Sequence, residues 1–128
     1  MNTESVRYTP VRMQKYSVAT GILMSAMIIV FGVFGIDKFI HPLSWIGWMP
    51  LWMDGLLGID KSQWLIITGG IELVLASALV FPKAAIRRIA AWGMVLHLGF
   101  ILTQTGMNDL FVRDLGLMLS AVALAVML

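Results

Sequence analysis

Residues 17–36 read SVATGILMSAMIIVFGVFGI, twenty positions without one charged side chain. At 1.5 Å per residue, such a run forms a helix of about 30 Å, the thickness of the hydrocarbon core of a bilayer. Two further runs have the same character: residues 62–81, interrupted by Glu72 alone, and residues 89–107, interrupted by His97 alone. A fourth apolar stretch, Leu115 to Leu128, is only about 21 Å long as a helix, which predicts an earlier start. Counting back about 20 residues from Leu128 places that start near Asp109, where Asn108 and Asp109 are good helix-capping residue types. The expected fold is therefore all-α: one domain over residues 1–128, a bundle of four transmembrane helices with spans at 17–36, 62–81, 89–107 and 109–128.

Composition agrees. Hydrophobic residues make up 59% of the 128-residue chain and charged residues 12%, against roughly 25% charged in soluble domains. Mean hydropathy is +0.89. The partner this implies is the lipid bilayer. The net charge of +2 is small and the basic residues are not clustered, so nothing resembles a nucleic-acid-binding arm. The first span runs into Phe31, Phe34 and Phe39 instead of a small-residue cleavage site, which predicts a retained helix and not a signal peptide.

Basic residues set the expected orientation. Arg7, Arg12 and Lys15 precede the first span, and Lys83, Arg87 and Arg88 lie between the second and third. Only Lys38, Lys61 and Arg113 fall at the opposite end. An excess of Lys and Arg marks the cytoplasmic side, so both termini are expected there and the loop 37–61 outside. That loop holds Trp45, Trp48 and Trp52, which with Met49 and Leu56 recur at the spacing of one helical face. Pro50 interrupts the stripe and should kink that helix or begin a second. The segment is expected to lie at the membrane interface, either as a belt anchor or as a lid over a cavity between the helices.

Ionisable groups inside a membrane are expensive and mark functional candidates. Glu72 lies near the middle of the second span and is expected to be protonated or paired. His97 falls at a similar depth in the third. Antiparallel neighbours at equal depth would bring the two together, to share or relay a proton or to hold a quinone oxygen. The alternative is that each fixes helix packing through a neighbouring polar group. Asp37, Lys38, Arg113 and Asp114 form a second candidate cluster at the loop end. Adjacent residues on a helix point about 100° apart, so Arg113 and Asp114 are expected to reach other helices and not each other. A crossed set of these four would tie the first helix to the last, or form a pocket for an anionic or quinone-like ligand. No metal site is expected: there is no Cys, and His41 and His97 are too far apart in sequence to form a ligand pair on one helix. The sequence contains no self-sufficient catalytic or redox motif. Gly32, Gly35, Gly69, Gly70, Gly93 and Gly99 are expected to admit close helix packing.

Three motifs carry a family resemblance. Gly32-Val33-Phe34-Gly35-Ile36-Asp37-Lys38-Phe39, Gly69-Gly70-Ile71-Glu72 and Arg113-Asp114-Leu115-Gly116-Leu117 occur in this order. They are similar to the glycine-rich end of helix one, the Gly-x-x-Glu of helix two and the Arg-Asp-x-x-Leu of helix four in the DoxX family of small membrane proteins. The likeness spans about Tyr16 to Leu128. It implies a four-helix bundle in a prokaryotic inner membrane, associated with quinone-linked oxidation of sulfur compounds or with complexes that handle oxidative stress. Carried over by position, the family's polar residues fall on Lys38, Glu72, Arg113 and Asp114. His97 has no counterpart in these motifs, the absence of Cys removes any thiol role, and the Trp-rich loop is longer than the family's minimum. The expected function is thus an accessory or quinone-associated subunit of a membrane oxidoreductase. A structural or assembly subunit of a larger complex is the alternative, and a small-molecule carrier working as a homo-oligomer is a third.

Overall fold

The computed structural model describes residues 10–105 and 107–128; the side chains of Arg12 and Thr105 lie outside the described set, as does Arg7 of the orientation argument. Five helices follow in order: α1 (Pro10–Ile40), α2 (Pro42–Ile46), α3 (Lys61–Val80), α4 (Ala84–Thr105) and α5 (Asp109–Met127). Four of them are long and apolar enough to cross a bilayer, over Met13–Ile40, Lys61–Val80, Ala84–Gln104 and Asp109–Met127. The chain is a multi-pass, all-α membrane protein built as a four-helix bundle.

The helix ends have local causes. α1 stops where Pro42 forbids continuation. α3 begins with a reciprocal cap: Asp60 Oδ1 accepts from the Gln63 backbone N–H at 2.8 Å, and Gln63 Oε1 accepts from the Asp60 N–H at 3.1 Å. α5 begins at Asp109, as expected, because Asn108 Oδ1 accepts from the Phe111 N–H at 3.0 Å. The clearest differences from the expected spans lie in α1 and α4. α1 continues four residues past 36, so Asp37 and Lys38 lie in its last turns, and α4 starts at Ala84 and includes Arg87 and Arg88. Apolar runs mark where lipid lies, and helices extend beyond them into the headgroup layer.

The tryptophan stripe does not form one helix. After α2 the chain turns at Gly47, becomes extended at Pro50 (φ −59°, ψ 139°) and makes two single 3-10 turns, Leu51–Met53 and Leu56–Gly58. Gly55, Leu57 and Gly58 all take positive φ (84°, 54° and 74°), which folds the segment sharply back toward α3. Proline and glycine override the helical periodicity of the apolar positions.

The buried core lies in the half of the bundle away from this loop. Met27, Leu79, Met94 and Leu124 interlock there with Ala76, Ala90, Ala91, Ala121 and Ala125, and Phe31 and Leu98 carry the same cluster up to the cavity wall. The outward faces are apolar too, as at Ile89, Leu96 and Val126, which suits a lipid solvent. Of the glycines singled out, three have close neighbours across a helix interface. A methyl group on Gly35 would stand 3.0 Å from the Gly69 carbonyl oxygen, one on Gly69 would stand 3.1 Å from that of Gly35, and one on Gly93 would strike Leu75 at 2.7 Å. Gly32 and Gly70 face open space, and Gly99 has room for a methyl group. α1 and α3 therefore touch backbone to backbone at Gly35 and Gly69. Gly69→Ala is expected to destabilise the bundle by about 1–3 kcal/mol through overpacking. Gly70→Ala should be neutral or stabilising by about 0.5–1 kcal/mol. Unfolding in detergent followed by circular dichroism measures both, and equal effects would refute the contact.

Candidate functional site

Glu72 is buried in α3 and both of its oxygens are engaged. Lys38 Nζ donates to Oε2 at 2.6 Å, and His97 Nε2 meets Oε1 at 2.9 Å. The geometry follows from chain direction. Side chains on a helix tilt toward its N-terminus. α1 and α4 run toward the loop end while α3 runs away from it, so Lys38 and His97 tilt away from the loop and Glu72 tilts toward it. The close approach of α1 and α3 at Gly35 and Gly69 brings the Lys38 stem within reach; its Cβ lies against Gly69. A carboxylate oxygen only accepts, so His97 donates through Nε2–H and its Nδ1 is left without a protein partner among the described residues.

The expected meeting of Glu72 and His97 is present. The expected crossed cluster of Asp37, Lys38, Arg113 and Asp114 is not. Lys38 turns inward to Glu72. Asp37 instead accepts from Trp45 Nε1 at 2.7 Å and pairs with His41 Nδ1 at 2.7 Å. Arg113 and Asp114, expected to avoid each other, are paired: Arg113 Nε donates to Asp114 Oδ1 at 2.9 Å and a second guanidinium nitrogen lies 2.8 Å from the same atom. The long arginine stem folds across the helix surface to its short neighbour and so overcomes the offset of about 100° between them. Asp114 is buried, and among the described residues no donor engages its Oδ2.

The two cations are linked through aromatic rings and not through acids. Lys38 Nζ lies 4.2 Å from the centre of the Trp45 ring, Trp45 and Phe34 pack at 5.4 Å, and the Arg113 guanidinium lies 5.1 Å from the Phe34 ring. Cations over aromatic faces are attracted by the ring quadrupole, more strongly where water is excluded.

These groups line a cavity of about 610 Å³, within the usual size for small-molecule sites. All four long helices and the loop contribute to it. Trp45, Trp48 and Trp52 all line it, so the loop forms its roof. Trp52 Nε1 donates to Gln104 Oε1 at 2.9 Å, pinning the roof to α4. Trp64, Thr68 and Gln104 also line the wall, and the sequence reading passed over all three. A signal was available: Trp64, Thr68 and Glu72 repeat every four residues and so share a helix face, while Gln104 lies seven residues beyond His97. The walls are mostly aromatic and aliphatic. The polar groups balance as two cations (Lys38, Arg113), two carboxylates (Glu72, Asp114) and one imidazole. Among the described residues no three His, Asp or Glu side chains gather as a metal ion would require.

No family model, curated protein or solved structure matches the chain.

Removing one member of a buried ion pair leaves an uncompensated charge and costs about 3–5 kcal/mol, whereas replacing both with apolar groups is often neutral. Lys38→Met and Glu72→Leu are each expected to destabilise the protein on that scale, and the double variant to regain most of the loss. A double-mutant cycle in a denaturant titration measures this; additive effects would show that the pair is not coupled.

Proposed function

We propose that this chain is a DoxX-like protein of a prokaryotic inner membrane that binds a quinone head group beneath its tryptophan roof, as an accessory subunit of a membrane oxidoreductase. The cavity carries the reading: an apolar chamber with a few convergent polar groups, placed where a membrane-dissolved ring compound can reach it. The residues fit such a ring. Its two carbonyl oxygens need donors, and Lys38 has N–H groups beyond the one Glu72 takes, as has the Arg113 guanidinium beyond those on Asp114. Its reduced form carries hydroxyls, for which His97 Nδ1 and Asp114 Oδ2 are acceptors. Its face suits the rings of Phe34, Trp45 and Trp52.

When bound, a quinone supplies two-electron redox chemistry coupled to protons. The chain's part is to bind and orient the ring, exclude water and hold the protons. His97 would take or return one at Nδ1 while Glu72, charge-balanced by Lys38, steadies the imidazole. Electrons would be exchanged with a partner protein. A carrier is disfavoured because the core on the far side of the cavity is wholly apolar.

One observation favours the structural alternative: both oxygens of Glu72 are already satisfied by protein, as a bundle lock requires. Fluorescence separates the two readings, since four of the five tryptophans line the cavity. Adding a decyl-chain benzoquinone to the detergent-solubilised protein should quench tryptophan emission saturably, and His97→Leu should weaken binding about tenfold, the equivalent of one lost hydrogen bond of about 1.4 kcal/mol. Quenching without saturation would leave the structural subunit as the better account.

The proposed orientation places the roof outside. Lys15, Lys83, Arg87 and Arg88 lie at the end opposite the loop, in keeping with a cytoplasmic face. Because the chain has no cysteine, a single Leu43→Cys in the exposed loop should react with a membrane-impermeant maleimide in intact cells, and Lys83→Cys should not. The reverse pattern would invert the topology.

A further inference from the structure

The cavity is bounded on several sides. Gly35 and Gly69 close the seam between α1 and α3, and the Arg113 guanidinium over Phe34 covers that between α5 and α1. The far end is filled by Met27, Leu79, Met94 and Leu124. The roof is pinned by Trp45 to Asp37 and by Trp52 to Gln104. The seam between α3 and α4 differs. It is shut at its lower end, where Leu75 covers Gly93. Above that point Ile67 and Ile71 on α3, and Leu96 and Phe100 on α4, belong to the cavity wall and also to the outer surface of the bundle. Their exposures are 39%, 44%, 75% and 46%; Trp48 and Trp52 in the roof are as exposed, at 52%, but lie at the loop end, whereas these four lie along the membrane-spanning segments. A wall residue that is also lipid-facing marks an opening to lipid.

We propose that this slot is a lateral portal for a lipid-borne ligand, whose polar head lies in the cavity and whose hydrocarbon tail lies between Ile67 and Ile71 on one side and Leu96 and Phe100 on the other. The inference rests on the head-group reading above and adds the ligand class, a ring or comparable small head carrying a long apolar chain. Chemistry selects that occupant. The slot is purely aliphatic and aromatic and is continuous with the surface the bilayer covers, so a hydrocarbon chain loses nothing by lying in it. The charged groups lie only at its inner end, on Lys38, Glu72, His97, Arg113 and Asp114, and an unassisted ion there would be costly. A head with a few hydrogen-bonding atoms and no net charge matches their balance. Trp52 stands edge-on to Phe100 at 6.3 Å and frames the top of the slot, so the roof limits the head without obstructing the tail.

The test uses two probes on the full-length protein: a benzoquinone bearing only methyl and methoxy groups, and the same ring with a decyl chain. Occupancy is read by native mass spectrometry after gentle solubilisation. Ile71→Trp with Leu96→Trp fills the slot, and Val74→Trp with Val126→Trp places the same bulk on lipid-facing positions away from it. The slot variant is expected to bind the decyl probe about tenfold more weakly and the tailless probe as well as wild type, with the control unchanged for both. Should the double variant fail to fold, Ile67→Trp alone provides a second obstruction. Equal decyl binding in slot and control variants, with the tailless probe still bound, would overturn the portal and leave the head-group site standing. Wild type that takes neither probe would overturn the head-group reading, and the portal with it.

Discussion

Everything distinctive in this bundle follows from placing Glu72 deep among the helices, where only 4% of it is exposed. A carboxylate at that depth must find compensating charge and hydrogen bonds within the protein, or the helix carrying it is not stable in a membrane. Lys38 and His97 meet that need at 2.6 and 2.9 Å. Lysine side chains near helix ends usually extend toward the headgroups. Lys38 does the reverse, and it can do so only because α1 and α3 meet through Gly35 and Gly69 with no side chain between them. Helix contact and ion pair are thus one device, in which small residues set the distance and the charges set the register.

That device divides the bundle. Away from the loop, alanines and long apolar side chains pack tightly and leave the helices nothing polar to satisfy. Toward the loop, the charged groups hold the helices around a chamber instead of collapsing into it. The aromatic run from Arg113 through Phe34 and Trp45 to Lys38 gives both cations a low-dielectric neighbour that leaves their remaining N–H groups available. The loop then closes the chamber with indole rings, which offer an apolar face inward and a donor to a fixed partner.

An apolar chamber with a few convergent polar groups under an aromatic roof, with an apolar slot toward lipid, is coherent with handling a membrane-dissolved ring compound. The same triad is also what a purely structural lock would look like, since each oxygen of Glu72 has a protein partner. The difference lies in the groups the lock does not use: Nδ1 of His97, Oδ2 of Asp114 and the spare donors of Lys38 and Arg113. A lock has no need of a chamber of about 610 Å³ beside it.

Length and hydropathy alone determined the number of spans, the all-α class and the start of α5, because a bilayer imposes a fixed thickness and demands that backbone groups be bonded within each segment. Depth counting along the spans also brought Glu72 and His97 together, since antiparallel helices of similar length align by position. Tertiary structure alone decided which charge answered which. Lys38 left its expected neighbours for Glu72, Asp37 turned to Trp45 and His41, and Arg113 folded back on Asp114. Such choices depend on interhelical distance and on the paths of long flexible stems, and neither is written in the periodicity of a single chain. The break at Pro50 was legible in the sequence, but the two 3-10 turns that follow it were not. The spacing of the roof's tryptophans is helical, but Pro50 and the left-handed turn at Gly55, Leu57 and Gly58 bend the backbone so that the same rings converge from a loop.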